Sequence, residues 1–391
     1  MEESRCANNG GVFRFMKSVV FFFEAHQPMR IRPYRMADIG TNHDYFWESK
    51  NREIVQRVSE KCYIPATQAL IDNGIKASLS ISGILLDQLT AINSGSLDVF
   101  KEYFRSGLGE PVAETYYHSL SSIWNKREFF YQVNKHREAI SRFFGKTPQT
   151  FRNTELIYND DVSKLAKELD FKNIITEGTD KIIAYNTPNV KYSSVSGLNL
   201  LFRNYKLSDD VSFRFSNHTW NEFPLYADKF SDWVARSPGD VVNLFMDYET
   251  FGEHQWKETG IFEFLKALPK ELEKRGISIK TIDEFCNENP KGNVLSLPDY
   301  VSWADVGRNL NAWLGNDMQR EAFDLLKSLE NNTNPETWRR LQVSDLIYYM
   351  SVSRFSDQEV HDYFNPYGSP YYAFMNYMSV LEDFRRTYSS K

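Results

Sequence analysis

The chain has 391 residues, 41% of them hydrophobic and 25% charged, with a formal net charge of -6. This balance excludes an intrinsically disordered chain. The mixed charges form no basic face, which argues against a nucleic-acid partner and suits a neutral substrate.

Residues 1–15 are polar and read as a disordered leader, with Met16 as an alternative start. Val19 to Phe23 reads as the first buried strand. It could pass for a signal-peptide core, but it is too short, Glu24 and His26 interrupt it, and no small-residue cleavage site follows. A cytoplasmic location is therefore expected, and no apolar run reaches the roughly 18 residues of a membrane span. Ala77 to Ile81, Thr150 to Arg152, Asn173 to Thr176, Leu198 to Phe202 and Val241 to Met246 read as further strands. Helical stretches separate them. Val162, Leu165, Ala166 and Leu169, for example, fall at i, i+3, i+4 and i+7 on one face. Such alternation marks βα units around a parallel sheet. Pro and Gly cluster in Asn289-Pro290-Lys291-Gly292-Asn293, a natural boundary. From about Trp303 onward the pattern is helical, with Phe374, Tyr377, Met378 and Leu381 on one face. The expected organisation is a catalytic (β/α) barrel over 16–290 and a C-terminal helical region over 291–391 packed on it.

Three strands run straight into polar residues. The first leads to Glu24-Ala25-His26-Gln27-Pro28, the third to Asn153-Thr154-Glu155, and the last to Asp247-Tyr248-Glu249-Thr250-Phe251-Gly252-Glu253-His254. In a parallel barrel the C-terminal strand ends converge on one mouth, where active sites are built. Taken singly, each segment is weak, since a polar residue after a strand commonly caps the next helix. Of the three cysteines, Cys6, Cys62 and Cys286, none forms a CxxC pair or a Cys/His cluster. A disulfide framework and a structural zinc site are not expected.

Together these segments resemble glycoside hydrolase family 57, in its short archaeal and bacterial α-amylase-like branch. His26-Gln27-Pro28 is similar to the first family motif, and Glu110-Pro-Val-Ala-Glu114-Thr-Tyr-Tyr-His118 to the second region. Phe151-Arg-Asn-Thr-Glu155-Leu-Ile-Tyr resembles the third motif and Asp247-Tyr-Glu-Thr-Phe-Gly-Glu-His254 the fourth. Ser302-Trp303-Ala304-Asp305, followed by Ala312-Trp313-Leu314-Gly315-Asn316, resembles the fifth. Ser344-Asp345 and Asn365-Pro-Tyr-Gly-Ser-Pro370 look like the end of the same branch, so the resemblance runs from about residue 16 to near the C-terminus. Arg152 stands where the family often has Trp, Tyr248 where it often has Gly, and Leu346 where a histidine would follow Asp345.

The resemblance implies an incomplete (β/α)7 TIM-like barrel with a C-terminal helical region. It implies retaining double displacement on α-1,4-glucans, with Glu155 as nucleophile and Asp247 as general acid/base, and no metal or cofactor. The partner would be an α-glucan or maltooligosaccharide, with hydrolysis, as in an α-amylase, or transfer, as in a 4-α-glucanotransferase, left open. Oligomeric state is equally open. His26, Glu114, His118, Trp220, Glu249, His254, Trp303 and Asp305 are candidate substrate-binding residues, and Trp256 and Trp313 further aromatic platforms. Retention requires carboxyl groups about 5–5.5 Å apart. Glu249 and Glu253 would help raise the pKa of Asp247. Two rivals stand beside this reading. One is a metal-dependent deacetylase using His26, Asp247 and His254; the paired aspartates after an early strand and the HxxxH segment that it would need are missing. The other is a glucan-binding protein that has lost turnover; the presence of both carboxylates argues against it.

Overall fold

The computed structural model describes residues 17–184, 186–290, 292–352 and 365–389. The expected leader, Met16 and Cys6 lie outside these residues, as does Lys291 of the boundary segment. Ten strands form one sheet: β1 (Lys17–Ala25), β2 (Ala77–Ile81), β3 (Gly109–Ala113), β4 (Thr150–Arg152), β5 (Asn173–Glu177), β6 (Tyr192–Ser193), β7 (Asn199–Arg203), β8 (Val241–Asp247), β9 (Ile277–Lys280) and β10 (Asn293–Val294). β7, β5, β4, β3, β2, β1 and β8 run parallel in that spatial order, with helices in the connections. The two ends of this series meet without a regular ladder. Instead, Asn204 N–H donates to Asn243 O at 2.8 Å and Arg203 Nε to Phe245 O at 2.8 Å. The result is the incomplete seven-stranded barrel expected from the sequence. β9 pairs with the start of β1, while β6 and β10 extend the sheet beyond β7.

Successive side chains of a strand point to opposite faces, and that rule sorts the barrel. In β1, Val19, Phe21 and Phe23 pack with the surrounding helices, while Val20 and Phe22 join Val112, Ile175, Leu201 and Phe245 in the interior. Phe22 and Phe245 meet edge to face at 5.7 Å. The inward positions change character near the C-terminal ends: Val20-Phe22 gives way to Glu24, Ile175 to Glu177, Leu201 to Arg203 and Phe245 to Asp247. An apolar plug thus supports a charged floor. At the other end, Ser78, Glu110 and Thr150 form a buried polar network. The helix Ile282–Glu288 closes that end through Ile282, Phe285 and Cys286.

Beyond β10 no further strand occurs among the described residues. The helices of this region share one apolar core with the barrel helices, since Trp313, Trp338, Leu346 and Phe384 belong to the same cluster as Phe21 and Leu265.

Candidate active site

A cavity of about 770 Å³ opens over the charged floor, lined by Glu24, His26, His118, Glu155, Arg203, Asp247, Glu249, Trp303, Asp305 and Asp345, among others. β1, β7 and β8, the connections after β3 and β4, the segment after β10 and the helix Asp345–Tyr348 all contribute. Among the described residues, eight non-glycine positions have positive φ, and five of them are His118, Glu155, Leu156, Asp305 and Arg308. Each such conformation costs on the order of 1–3 kcal/mol and persists only where its surroundings hold it. Most of the positive-φ strain among the described residues is therefore gathered around one site.

Glu155 is the middle residue of the single turn Thr154–Leu156 that follows β4. His118 Nε2 donates to its Oε1 at 3.1 Å and Trp303 Nε1 to its Oε2 at 2.7 Å. The other face of His118 meets carboxylates: Nδ1 lies 3.0 Å from Glu114 Oε2 and 3.3 Å from Glu24 Oε1. Arg152, fully buried, pairs with Glu24 and lies 3.5 Å from Glu114. Burial disfavours a charge on His118, but Glu24, Glu114 and Glu155 outweigh it and hold its pKa well above the usual imidazole value. His118 is an imidazolium. Burial would also push Glu155 up, yet the hydrogen bond and charge of His118, with the charge of Arg152, hold it below the ordinary carboxylate range.

Asp247 behaves oppositely. Burial, followed by the negative charge of Glu155, pushes it up to about 6, against the pull of Arg152, Arg203 and His118. Glu249 and Glu253 are not the source. Glu249 is itself pushed up to about 8 by burial and by Asp247, and a neutral carboxyl repels nothing. Glu253 is engaged by the Arg57 guanidinium at 2.5 Å. Glu249 instead accepts from the His26 backbone N–H at 3.2 Å and from the Tyr63 hydroxyl.

The His26 ring stacks on His118 at 3.8 Å. Burial and that neighbouring cation lower its pKa, so it is neutral. Burial opposes ionisation of Asp345, but His26, His118 and Arg30 hold it below the usual range. A carboxylate only accepts, so His26 Nε2 donates to Asp345 at 3.1 Å and Nδ1 accepts from Ser82 Oγ at 2.7 Å.

A model of the family "Glycosyl hydrolase family 57" matches residues 20–298. The chain belongs to this family. A Methanocaldococcus jannaschii protein named "Putative alpha-amylase" is 40% identical over 395 residues, which cover 94% of this chain and 84% of that one. The 4-alpha-glucanotransferase of Thermococcus litoralis superposes with a TM-score of 0.67 at 14% identity, over 85% of this chain and 56% of that enzyme. This chain therefore spans little more than half of the glucanotransferase's length. The GH57-type branching enzyme of Pyrococcus horikoshii gives 0.65 at 14%, over 90% and 88%. The alpha-amylase AmyC of Thermotoga maritima gives 0.56 at 13%, over 95% and 96%. At such identities the likeness is one of fold.

Within this family 57 chain the sequence-derived candidates divide. Glu155, Asp247, His26, His118, Glu249, His254, Trp303 and Asp305 all line the cavity. Glu114 does not. It is fully buried behind His118, so its contact is with the imidazolium and not with a ligand. Trp220 packs edge-on against Trp233 with Arg214 over its face, outside the cavity wall. Trp256 is 60% exposed beside Lys61, also away from the cavity, and Trp313 is core. Leu346, where the resemblance places a histidine, is likewise buried in the core; its neighbour Asp345 reaches the cavity instead. Glu24, Arg203 and Asp345 were missed as site residues. For Glu24 a signal existed: in Val20-Phe22-Glu24 a charge occupies an inward strand position.

Ligand atoms of His26, His118 and Asp345 lie within 4.8 Å of one another, as do those of Glu24, Glu114 and His118. Spacing alone would let either trio hold an ion. Both trios require His118, whose nitrogens carry protons toward carboxylates, and a metal must displace a proton to bind.

Proposed function

We propose that this protein is a retaining α-glucan-active enzyme in which Glu155 is the nucleophile and Asp247 the general acid/base. One observation carries the reading: two carboxyls in one cavity are driven to opposite protonation states, Glu155 ionised and Asp247 protonated up to about pH 6. Pairs separated in this way mark acid and base assignments. Glu155 attacks the anomeric carbon while Asp247 protonates the departing glycosidic oxygen, giving a covalent glycosyl-enzyme. Forming the ester removes the negative charge of Glu155 and with it part of what keeps Asp247 protonated. Asp247 then gives up its proton more readily and serves as base toward the acceptor. The His26–Asp345 pair and His254 line the wall where sugar hydroxyls need partners.

The substrate class proposed is an α-1,4-glucan or maltooligosaccharide, supported by family membership and by the relative named as an alpha-amylase. With water as acceptor the reaction is hydrolysis. Transfer to a second glucan is the alternative, favoured by two apolar side chains on the cavity wall that are 59% and 75% exposed, Phe213 and Val306. Incubation with maltooligosaccharides and amylose tests both. Shorter products alone mean hydrolysis, and mixed longer and shorter products mean transfer. The enzyme reading fails if the parent protein and its Glu155→Ala and Asp247→Ala variants all bind glucan and are equally inert.

A further inference from the structure

The segment 301–310 brings Trp303 and Asp305 to the cavity without being a helix or a strand. One end is tied by reciprocal backbone bonds between Val301 and Tyr158, each 2.9 Å. Beyond that tie, Trp303 N–H donates to Glu155 O at 3.2 Å and its indole N–H to Glu155 Oε2 at 2.7 Å. The indole is flanked by the guanidinium groups of Arg152 and Arg203, 5.3 and 5.9 Å from the ring centre. Trp303 is therefore placed first as a donor to Glu155.

Something must hold this irregular segment down, and Arg308 does so by several attachments. Its guanidinium donates to the Trp303 carbonyl oxygen and, at 3.2 Å, to Glu177 Oε2; it lies 3.6 Å from Asp209 Oδ2. Its own carbonyl accepts from Ser302 N–H at 3.1 Å. Glu177 is fully buried at the end of β5, and Asp209 sits in the helix Tyr205–Ser212, so both anchors belong to the barrel wall. Arg308 has φ of +49°, a strained conformation for a non-glycine residue that these contacts maintain.

We propose that Arg308 is a positioning residue: by clamping the Trp303 carbonyl to the Glu177–Asp209 pair, it fixes the indole N–H on the outer oxygen of Glu155. The inference rests on Glu155 being the nucleophile. Held by His118 on one oxygen and Trp303 on the other, the carboxylate cannot rotate, and it stays ionised to lower pH because both donors favour its charged form. The charged and titratable groups facing Glu155 are His118, Arg152, Asp247, Glu24 and Asp345. All of these remain, with every cavity charge, when Trp303 is replaced, so Trp303→Phe isolates the loss of the indole donor; Arg308→Gln also removes a cation paired with Glu177 and Asp209, which Arg308→Lys retains.

The test uses the full chain and an aryl α-maltooligoside, with kcat/KM measured across pH for Arg308→Gln, Arg308→Lys, Trp303→Phe and the Arg308→Gln/Trp303→Phe pair. Arg308→Gln is expected to lower kcat/KM about 10–100-fold, the size of effect of a misplaced reacting group. It is also expected to move the acidic limb upward, as does Trp303→Phe. Arg308→Lys recovers part of both, and the double variant loses less than about twofold beyond the worse single change, since both remove one donor. An unmoved acidic limb in either Arg308→Gln or Trp303→Phe overturns the proposal, as do losses that multiply. If Arg308→Gln does not fold, Arg308→Lys decides beside Trp303→Phe: it keeps the charge but loses the fork that reaches both the Trp303 carbonyl and Glu177, and an acidic limb unmoved from the parent in either variant overturns the proposal. A fully active Glu155→Ala would instead overturn the nucleophile assignment, whatever the Arg308 variants do.

Discussion

Glu155 and Asp247 lie deep in the cavity and are only partly exposed, and desolvation alone would drive both toward the neutral form. His118 separates them, because its Nδ1–H donates to Glu114, with Glu24 beside it, while its Nε2–H donates to Glu155. The pH profile of kcat/KM should therefore be a bell. Activity falls as pH rises through about 6 and Asp247 loses the proton it must donate, and it falls on the acid side, below the ordinary glutamate range, as Glu155 gains a proton. A basic limb above pH 8 would contradict this assignment. His118→Asn should raise the acidic limb and reduce kcat by about 10²–10³-fold, the scale of losing one preorganised donor to a charged group. Treatment with a chelator should leave turnover unchanged; a loss restored by one added metal ion would mean that the His118 lone pairs are metal-bound and not protonated. Glu155, Asp247 and the histidines were legible in the sequence because they sit in compact motifs next to strands. Glu24 carried a signal that went unused, a charge at an inward strand position; Arg203, at the inward end of an apolar strand, and Asp345, more than 300 residues from the His26 it bonds, were not legible.

The elements that bear the site were readable to different degrees. β1 and β8 are long apolar runs and were evident, whereas β3 was not, because Glu110 and Pro111 break the hydrophobic pattern; the structure satisfies Glu110 with Ser78 and Thr150 hydroxyls inside the barrel. β10, two residues long, leaves no periodicity to read, and β9 offers only the four-residue alternation Ile277-Ser278-Ile279-Lys280. The connection after β8 shows how a turn is fixed. Gly252 has φ of +116°, and a Cβ placed there would lie 1.9 Å from Lys61 O and 3.2 Å from the Phe262 ring. No rotamer change relieves a backbone contact. Gly252→Ala should cost ~2–4 kcal/mol, combining strained φ with displaced backbone, and a denaturation midpoint equal to that of the parent would contradict it. Because the same turn orients Glu249 and His254, activity should fall with stability.

At the scale of the whole molecule, the Pro/Gly cluster near residue 290 suggested a boundary with a helical region packed on the barrel, and apolar packing runs across it. Trp313, Trp338, Leu346 and Phe384 share a core with the barrel helices, and Trp303, Asp305 and Asp345 complete the cavity from the far side. Truncation after Asn289 should therefore leave a chain that exposes this core and lacks activity; a soluble, cooperatively unfolding, active fragment would refute that. Periodicity could reveal barrel and helices, but not that the second supplies walls to the first, since that depends on contacts between residues far apart in the chain. Among the described residues no helix is long and apolar enough to cross a membrane. The central claim is that Glu155 forms a bond to the sugar, and it can be tested by reaction with a 5-fluoro-α-glucosyl fluoride followed by peptide mass spectrometry. The account predicts one added glycosyl mass on the peptide containing Glu155, absent in Glu155→Ala. A label on another residue, or turnover of this reagent by the Glu155→Ala variant at the rate of the parent, would contradict it.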